Sequence, residues 1–211
     1  LPILLYCSRN FKLVQKLYKD DYRFAKFNIE KHEQCGKTLG LVGVGNIGGL
    51  VARKAALGFD MKVLAFDPYA KELPDYIIPV SSREEVFKKA DYVSLHVPAT
   101  PETVNSVGEK ELAGMKKTAF LINTARGSII DEEALIKALE EKQIAGAALD
   151  VTREEPFSRE NPLLEMDNVL TAPHIGAATK EASSRSSLAC AEGIDDFLSG
   201  RTPKYPVPPM R

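Results

Sequence analysis

The sequence predicts an α/β chain built on a doubly wound, largely parallel sheet, and three observations carry that reading. Short apolar runs rich in β-formers alternate along the chain with helical stretches, the pattern of repeated strand–helix crossovers. One of them, residues 39–44, passes into Gly43, Gly45 and Gly48, a G-x-G-x-x-G turn that opens a helix. The next, residues 61–66, ends on Asp67, about 20 residues beyond the last of those glycines.

Residues 1–34 precede this unit and do not read as a domain. Asn10 is placed as a helix N-cap, because Phe11, Val14, Leu17 and Tyr18 recur behind it at helical spacing. Tyr22, Phe24 and Phe27 then set aromatic rings among charged residues. A segment this short cannot bury those rings alone, so it is expected to pack across the main domain or against a second subunit. Tyr22 and Lys26 match the Tyr-x-x-x-Lys proton-transfer pair of short-chain dehydrogenases, but they lie before the glycine turn where that pair follows it, and the catalytic reading is set aside.

In the helix after the glycine turn, Leu50, Val51, Ala55 and Leu57 are the expected inward face and Gly58 the stop. Pro68 and Tyr69 reverse the chain, and 76–80 is a short strand. Ser81 and Ser82 are candidate caps for a helix over Arg83–Lys89, followed by a strand over 92–97. His96, near its end, reads as a structural histidine. A short helix over 109–112 stops at Gly114, and a strand over 119–125 runs into Arg126-Gly127. Asp131 caps a helix over 132–141, and strands over 145–151 and 169–172 follow. The last strand leads into Pro173-His174-Ile175-Gly176, and a closing helix over Lys180–Leu198 gives way to Gly200 and a Pro-rich tail that cannot continue it.

The residues at the strand ends suggest chemistry. Gly43 allows the tight turn, Gly45 lets backbone approach a pyrophosphate, and Gly48 lets the helix pack close to the strand. The N–H groups at the helix start supply an anion site. Asp67 can take both hydroxyls of an adenosine ribose and would repel a 2′-phosphate, which selects NAD over NADP. Arg126, Glu155 and His174 each follow a strand, and in an open α/β sheet all such positions share one edge. Together they supply a cation for a substrate carboxylate, a histidine to move a proton and a carboxylate to orient it, although spacing does not choose between Glu154 and Glu155.

Composition removes other classes. A net charge of −1 gives no electrostatic case for nucleic acid or an anionic membrane. The chain has no apolar run of about 18 residues, the minimum for a transmembrane helix. Cys7, Cys35 and Cys190 are odd in number and far apart, which points to thiols in a reducing, cytoplasmic setting and not to a disulfide framework or a metal site. The chain begins at Leu1 with no export segment before it, so either its start was trimmed or it is part of a longer chain.

The sequence resembles the D-isomer-specific 2-hydroxyacid dehydrogenases, a family with D-3-phosphoglycerate, hydroxypyruvate/glyoxylate and D-lactate members. The resemblance spans 36–206. It rests on Lys-Thr-Leu-Gly-Leu-Val-Gly-Val-Gly-Asn-Ile-Gly, His-Val-Pro-Ala-Thr-Pro-Glu-Thr, Leu-Ile-Asn-Thr-Ala-Arg-Gly, Gly-Ala-Ala-Leu-Asp-Val-x-x-x-Glu-Pro and Thr-Ala-Pro-His-Ile-Gly. It implies a Rossmann NAD-binding domain over 36–179, a crossover and dimerisation arm over 1–35, and a C-terminal helix with a Pro-rich return over 180–211. It also implies an oxidoreductase of 2-keto and D-2-hydroxy acids, working as a homodimer. By the same matching Arg126 binds the substrate's carboxylate and carbonyl, His174 is the acid–base, and Glu155, chosen by the Glu-Pro pairing, is its partner. That glutamate argues against the formate dehydrogenase branch, which carries Gln there. Asn46, Ile47, Asp67, Val97, Thr124, Ala125, Asp150 and Ala177 are implied to lie against NAD. Members carry a substrate domain of about a hundred residues before the nucleotide domain. This chain starts at the crossover, so its tail is expected to lack a docking surface and its own activity to be poor. Corepressors of the same family make an NAD(H)-sensing interaction protein the alternative.

Overall fold

Residues Thr38–Val42 form strand β1, and all but the first are buried. A parallel strand covered on both faces reads as an unbroken apolar run, as this one does. The computed structural model describes residues 1–206, and the part of the predicted tail from Val207 onward lies outside the described residues. Three short helices precede β1: α1 (Pro2–Ser8), α2 (Phe11–Leu17) and α3 (Tyr22–Phe27). After it come α4 (Asn46–Phe59), β2 (Lys62–Phe66), β3 (Ile77–Pro79), α5 (Arg83–Lys89), β4 (Tyr92–Leu95), α6 (Glu109–Ala113) and β5 (Phe120–Asn123). The chain continues with α7 (Glu132–Glu140), β6 (Gly146–Leu149), β7 (Val169–Thr171) and α8 (Lys180–Leu198).

All seven strands pair in parallel, in the order β3-β2-β1-β4-β5-β6-β7. The order reverses between β1 and β4, which is where a doubly wound sheet opens a crevice at its carboxyl edge. Side chains alternate across the sheet. Leu39 and Leu41 pack with Leu4 and Cys7 of α1 and Ala52 and Ala55 of α4. On the other face Val42, Val93 and Leu121 pack with Val86 and Phe87 of α5 and Leu135 and Leu139 of α7. The chain divides into two units, residues 1–173 and 174–211.

The arm behaves as its composition demands. Its first helix buries Leu4 and Cys7 in the core, and its second is tied down through Lys12. The Lys12 ammonium donates to the carbonyls of Leu164 (3.1 Å), Met166 (2.6 Å) and Val169 (2.9 Å), at the start of β7. Partial burial holds the pKa of this ammonium below the usual lysine range. Tyr22, Phe24 and Phe27 stay exposed. Tyr22 and Lys26 meet as a surface cation–π pair, 5.7 Å from nitrogen to ring centroid. Asn10 does occupy the N-cap of α2, but with a left-handed backbone (φ 49°), and its amide donates to the Glu30 carbonyl instead of capping.

Helix α4 departs from expectation. It runs through Gly58 to Phe59 and is ended by Asp60 in a left-handed conformation. Its buried residues are Gly48, Ala52 and Ala55, whereas Leu50 and Leu57 are exposed. Of the expected inward residues Ala55 is buried and Val51 packs partly against the core, while Leu50 and Leu57 face out, because a helix lying close over a sheet turns its smallest side chains inward. Strands β4, β5 and β6 also stop about two residues before the expected ends and release 96–98, 124–127 and 150–155 as carboxyl-edge loops.

The second unit is α8 and the chain around it. Thr179 caps the helix by accepting from the Ala182 amide at 3.1 Å. No α8 residue is buried within the chain, and Ile194, Phe197 and Leu198 are exposed. Arg201 folds back to donate to Asp195 (2.6 Å) and Asp196 (2.8 Å), and an open cleft of about 610 Å³ lies between the apolar side of α8 and Pro203, Tyr205 and Pro206.

Two lysines one turn apart on α2 separate anchored from exposed charge. Lys12→Met should cost about 1–3 kcal/mol, since it strips partly buried carbonyls of a charged donor. Lys16→Met, which removes an exposed pair with Asp167, should cost less than about 1 kcal/mol in the same urea titration. Asp91, just before β4, accepts from the Thr38 amide and from Lys116, both at 2.8 Å. Burial opposes its ionisation, but those two donors outweigh it and hold its carboxyl below the usual range. A carboxyl lowered on folding contributes stability above its unfolded pKa and loses it as the pH falls through the folded one. Asp91→Asn should therefore be less stable than the parent at pH 7, and the gap should close as melts are taken down through about pH 4 to pH 3.

Candidate active site

The turn after β1 is shaped by how closely backbone meets backbone. Gly43 has φ 95°, and a β-carbon there would lie 2.6 Å from the His96 carbonyl oxygen. Its N–H donates to the Phe66 carbonyl at 2.9 Å, joining the turn to the end of β2. A β-carbon on Gly48 would run into the Gly43 carbonyl. Gly45 differs: its φ is an ordinary −66° and nothing lies within 4 Å of where a β-carbon would sit. The fold has no use of its own for glycine there, and the open space fits a pyrophosphate drawn against the backbone. Gly45 is also the N-cap of α4 and contributes no side-chain cap, so the first N–H groups of that helix face the same side.

Asp67 lies one residue past β2, half-buried. Its Oδ2 accepts from the Val44 amide at 2.8 Å and its Oδ1 from the Tyr69 amide at 2.9 Å. The carboxylate is thereby fixed beside the glycine turn, and each oxygen keeps a further lone pair for a ribose hydroxyl. These residues fit the adenosine half of a dinucleotide.

Next to the turn, at the point where the strand order reverses, lies an open cleft of about 390 Å³. Ile47 of α4 forms one wall, Val97 and Pro98 past β4 a second, and Thr124, Ala125 and Arg126 past β5 a third. Its size is in the ordinary range for small-molecule sites. His96 also lines it, and shares a hydrogen bond between Nε2 and the Ser94 hydroxyl at 3.0 Å. Burial pushes its imidazole down to about 4, so it is neutral at physiological pH, which fits the structural role expected of it.

Arg126 projects from the loop after β5 with an exposed guanidinium, donating from Nη1 to the Ala125 carbonyl at 2.6 Å. Glu155 sits in the loop after β6, where the Thr152 amide approaches its Oε1 at 3.4 Å. The two loops abut. Gly127 lies so close to Thr152 that a β-carbon there would overlap the Thr152 carbonyl. Asn46 is exposed as the first residue of α4, and Asp150 is buried at the end of β6, its amide donating to the Asn123 carbonyl at 2.9 Å. His174 opens the second unit with a left-handed backbone (φ 54°), and Ala177 follows before α8; both are exposed. Thus Ile47, Val97, Thr124, Ala125 and Arg126 share one cleft, Arg126 and Glu155 share adjoining loops, and His174 and Ala177 belong to the other unit.

One residue escaped the sequence reading as a functional one. Asn123, the last residue of β5, is fully buried. Its signal was an amide closing an otherwise apolar strand, a group that must find partners when buried.

The family model for the NAD-binding domain of D-isomer specific 2-hydroxyacid dehydrogenases matches residues 1–176. The glyoxylate reductase of Korarchaeum cryptofilum is 45% identical over 82% of this chain and 52% of its own length. The hydroxypyruvate reductase of Thermotoga maritima is 40% identical over 92% of this chain and 63% of its own. Among solved structures, the NAD complex of a D-isomer specific 2-hydroxyacid dehydrogenase from Lactobacillus delbrueckii ssp. bulgaricus superposes with a TM-score of 0.87 at 32% identity, over 98% of this chain and 67% of that one. The chain therefore spans about half to two thirds of the proteins it matches, and the part they share is the nucleotide unit. With the family model over residues 1–176 and relatives at 40–45% identity, the chain belongs to the D-isomer specific 2-hydroxyacid dehydrogenases through their NAD-binding domain.

Proposed function

We propose that this chain is the coenzyme-binding part of an oxidoreductase that interconverts a 2-keto acid and a D-2-hydroxy acid with NAD(H). The observation that carries the proposal is the cleft at the strand reversal, which is lined by Ile47, Val97, Thr124 and Arg126 with its exposed guanidinium and lies next to a glycine turn whose Val44 amide is bonded to the Asp67 carboxylate. The glyoxylate and hydroxypyruvate reductases among its relatives support substrates of that size.

Bound nicotinamide supplies or accepts the hydride at the substrate's C2. The chain's own residues must do the rest. Arg126 has five N–H donors in a planar fork, suited to a carboxylate and its neighbouring carbonyl together. Reduction leaves an alkoxide that needs a proton, and His174 is assigned that transfer, running in reverse for oxidation. Glu155 is its assigned partner, because a carboxylate beside an imidazole favours the charged, proton-donating form. Asn46, Asp150 and Ala177 complete the set assigned to NAD. The exposed rings of Tyr22, Phe24 and Phe27 support a homodimer in which a second copy covers the arm. The three free cysteines are compatible with a cytoplasmic setting.

The test uses the full-length protein and follows NADH oxidation with glyoxylate, hydroxypyruvate, pyruvate and phosphohydroxypyruvate. Turnover of at least one is expected, and tight NADH binding with no turnover of any would count against the proposal. His174→Ala should lower kcat by about 10²–10⁴ and leave the NADH Kd within a few-fold. Asp67→Ala should weaken NADH by about tenfold or more, as expected for losing a charged hydrogen-bond acceptor, with a smaller effect on kcat. The opposite pattern would reverse the two assignments.

A further inference from the structure

Asn123 is an amide in a place built for apolar side chains. Its β5 neighbours Leu121 and Ile122 are core residues, and Asn123 itself has no exposed surface. Burying an amide costs free energy unless its donor and acceptor are both used, so a fully buried one is informative by what it holds. Here the side chain reaches forward along its own chain. Its Oδ1 accepts from the Ala125 amide at 3.0 Å, and its Nδ2 donates to the Arg126 carbonyl at 2.8 Å. An N–H on one side and a C=O on the other fix the orientation of the amide group. Its backbone carbonyl accepts from the Asp150 amide at 2.9 Å, linking the same residue to the end of β6.

These bonds hold the Thr124–Ala125 peptide group through its N–H and the Arg126–Gly127 peptide group through its carbonyl, so the short stretch that carries Arg126 is tied at both ends from inside the sheet. Asp at this position would lose the donor, Ala both partners, and Gln would overshoot a turn this tight. The surrounding loops reinforce the hold. The Asn105 amide donates to Ser128 at 2.8 Å, Arg153 donates to the Asn105 side chain at 2.7 Å, and Gly127 is pressed against Thr152.

We propose that Asn123 is a positioning residue: its buried amide locks the 124–127 loop so that Arg126 presents its guanidinium to the substrate carboxylate in the cleft. The inference rests on the reading of Arg126 given above. Misplacing a binding group by about 1 Å can cost about 10²-fold in rate, which sets the effect to look for.

In the full-length enzyme, Asn123→Ala should lower kcat/KM for glyoxylate or hydroxypyruvate by about 10²-fold, chiefly through KM, with the NADH Kd within threefold. In an Arg126→Ala background the same change should cost less than about threefold, because the group being positioned is gone. Losses that multiply in full in that background, or a parallel loss of NADH affinity, would overturn the proposal. If Asn123→Ala does not fold, Asn123→Asp, which keeps the acceptor for the Ala125 amide and removes the donor to Arg126, is judged by the same cycle. Hydrogen exchange separates this inference from the one beneath it. The Ala125 amide should exchange at least about tenfold faster in Asn123→Ala than in the parent, and unchanged protection would overturn the positioning role whatever Arg126→Ala does to turnover. If Arg126→Ala leaves turnover intact while the amide is released, the role of Arg126 fails and the loop lock stands.

Discussion

The crevice at the carboxyl edge exists because β1 has neighbours whose crossovers depart in opposite directions. β2 and β3 are laid down to one side of it and β4 to β7 to the other, so the loops leaving β1 and β4 must diverge. What keeps that divergence to a narrow cleft is the approach of the Gly43 backbone to the His96 carbonyl, a contact that no side chain could share. Ile47 then lines one wall of the cleft, and Val97, Thr124 and Arg126 line the others.

The far lip is stiffened loop by loop. The segment after β4 is bonded to the segment after β5 through Asn105 to Ser128 and Val107 to Ile129. The segment after β6 is bonded to both, through Arg153 to Asn105 and through the close seat of Gly127 on Thr152. Loops normally lie at the mobile end of a protein's stability range. These are bound to one another as well as to the strands, which is how an irregular backbone can hold a charged group in register with a bound ligand.

Much of this was legible in the sequence, and the failures have physical causes. The strands, the three glycines and Asp67 are set by local patterns of period, turn chemistry and spacing, which survive in one dimension, whereas the strand order that places the reversal between β1 and β4 is a tertiary property. On helix α4 the pattern finds Ala55 and Val51 but not Gly48 and Ala52, because close packing on the sheet selects small residues and leaves Leu50 and Leu57 exposed. Asn10 stands at the N-cap position expected of it, but its left-handed backbone turns the amide to Glu30, so its side chain does not cap. Asn123 was passed over because its partners lie in the loop it shapes, and nothing in the sequence alone says that the loop turns back onto it.

The two edges of the sheet divide their charges by purpose. At the amino edge two charged groups are held by the protein itself: Asp91 by Thr38 and Lys116, and Lys12 by three carbonyls. Such groups return stability and have little left to offer a ligand. At the carboxyl edge the same kinds of group are held by few protein bonds. Among the described residues the Arg126 guanidinium gives one hydrogen bond, to its neighbour's carbonyl, and Asp67 accepts one backbone N–H per oxygen. A guanidinium has five donors and a carboxylate about four acceptor positions, so most of their capacity points outward. Leaving that capacity unused costs little while water fills it, and the return comes when a ligand of matching charge displaces the water. Hydrogen-bonding capacity thus stays open to a ligand at the edge where β1 and β4 part.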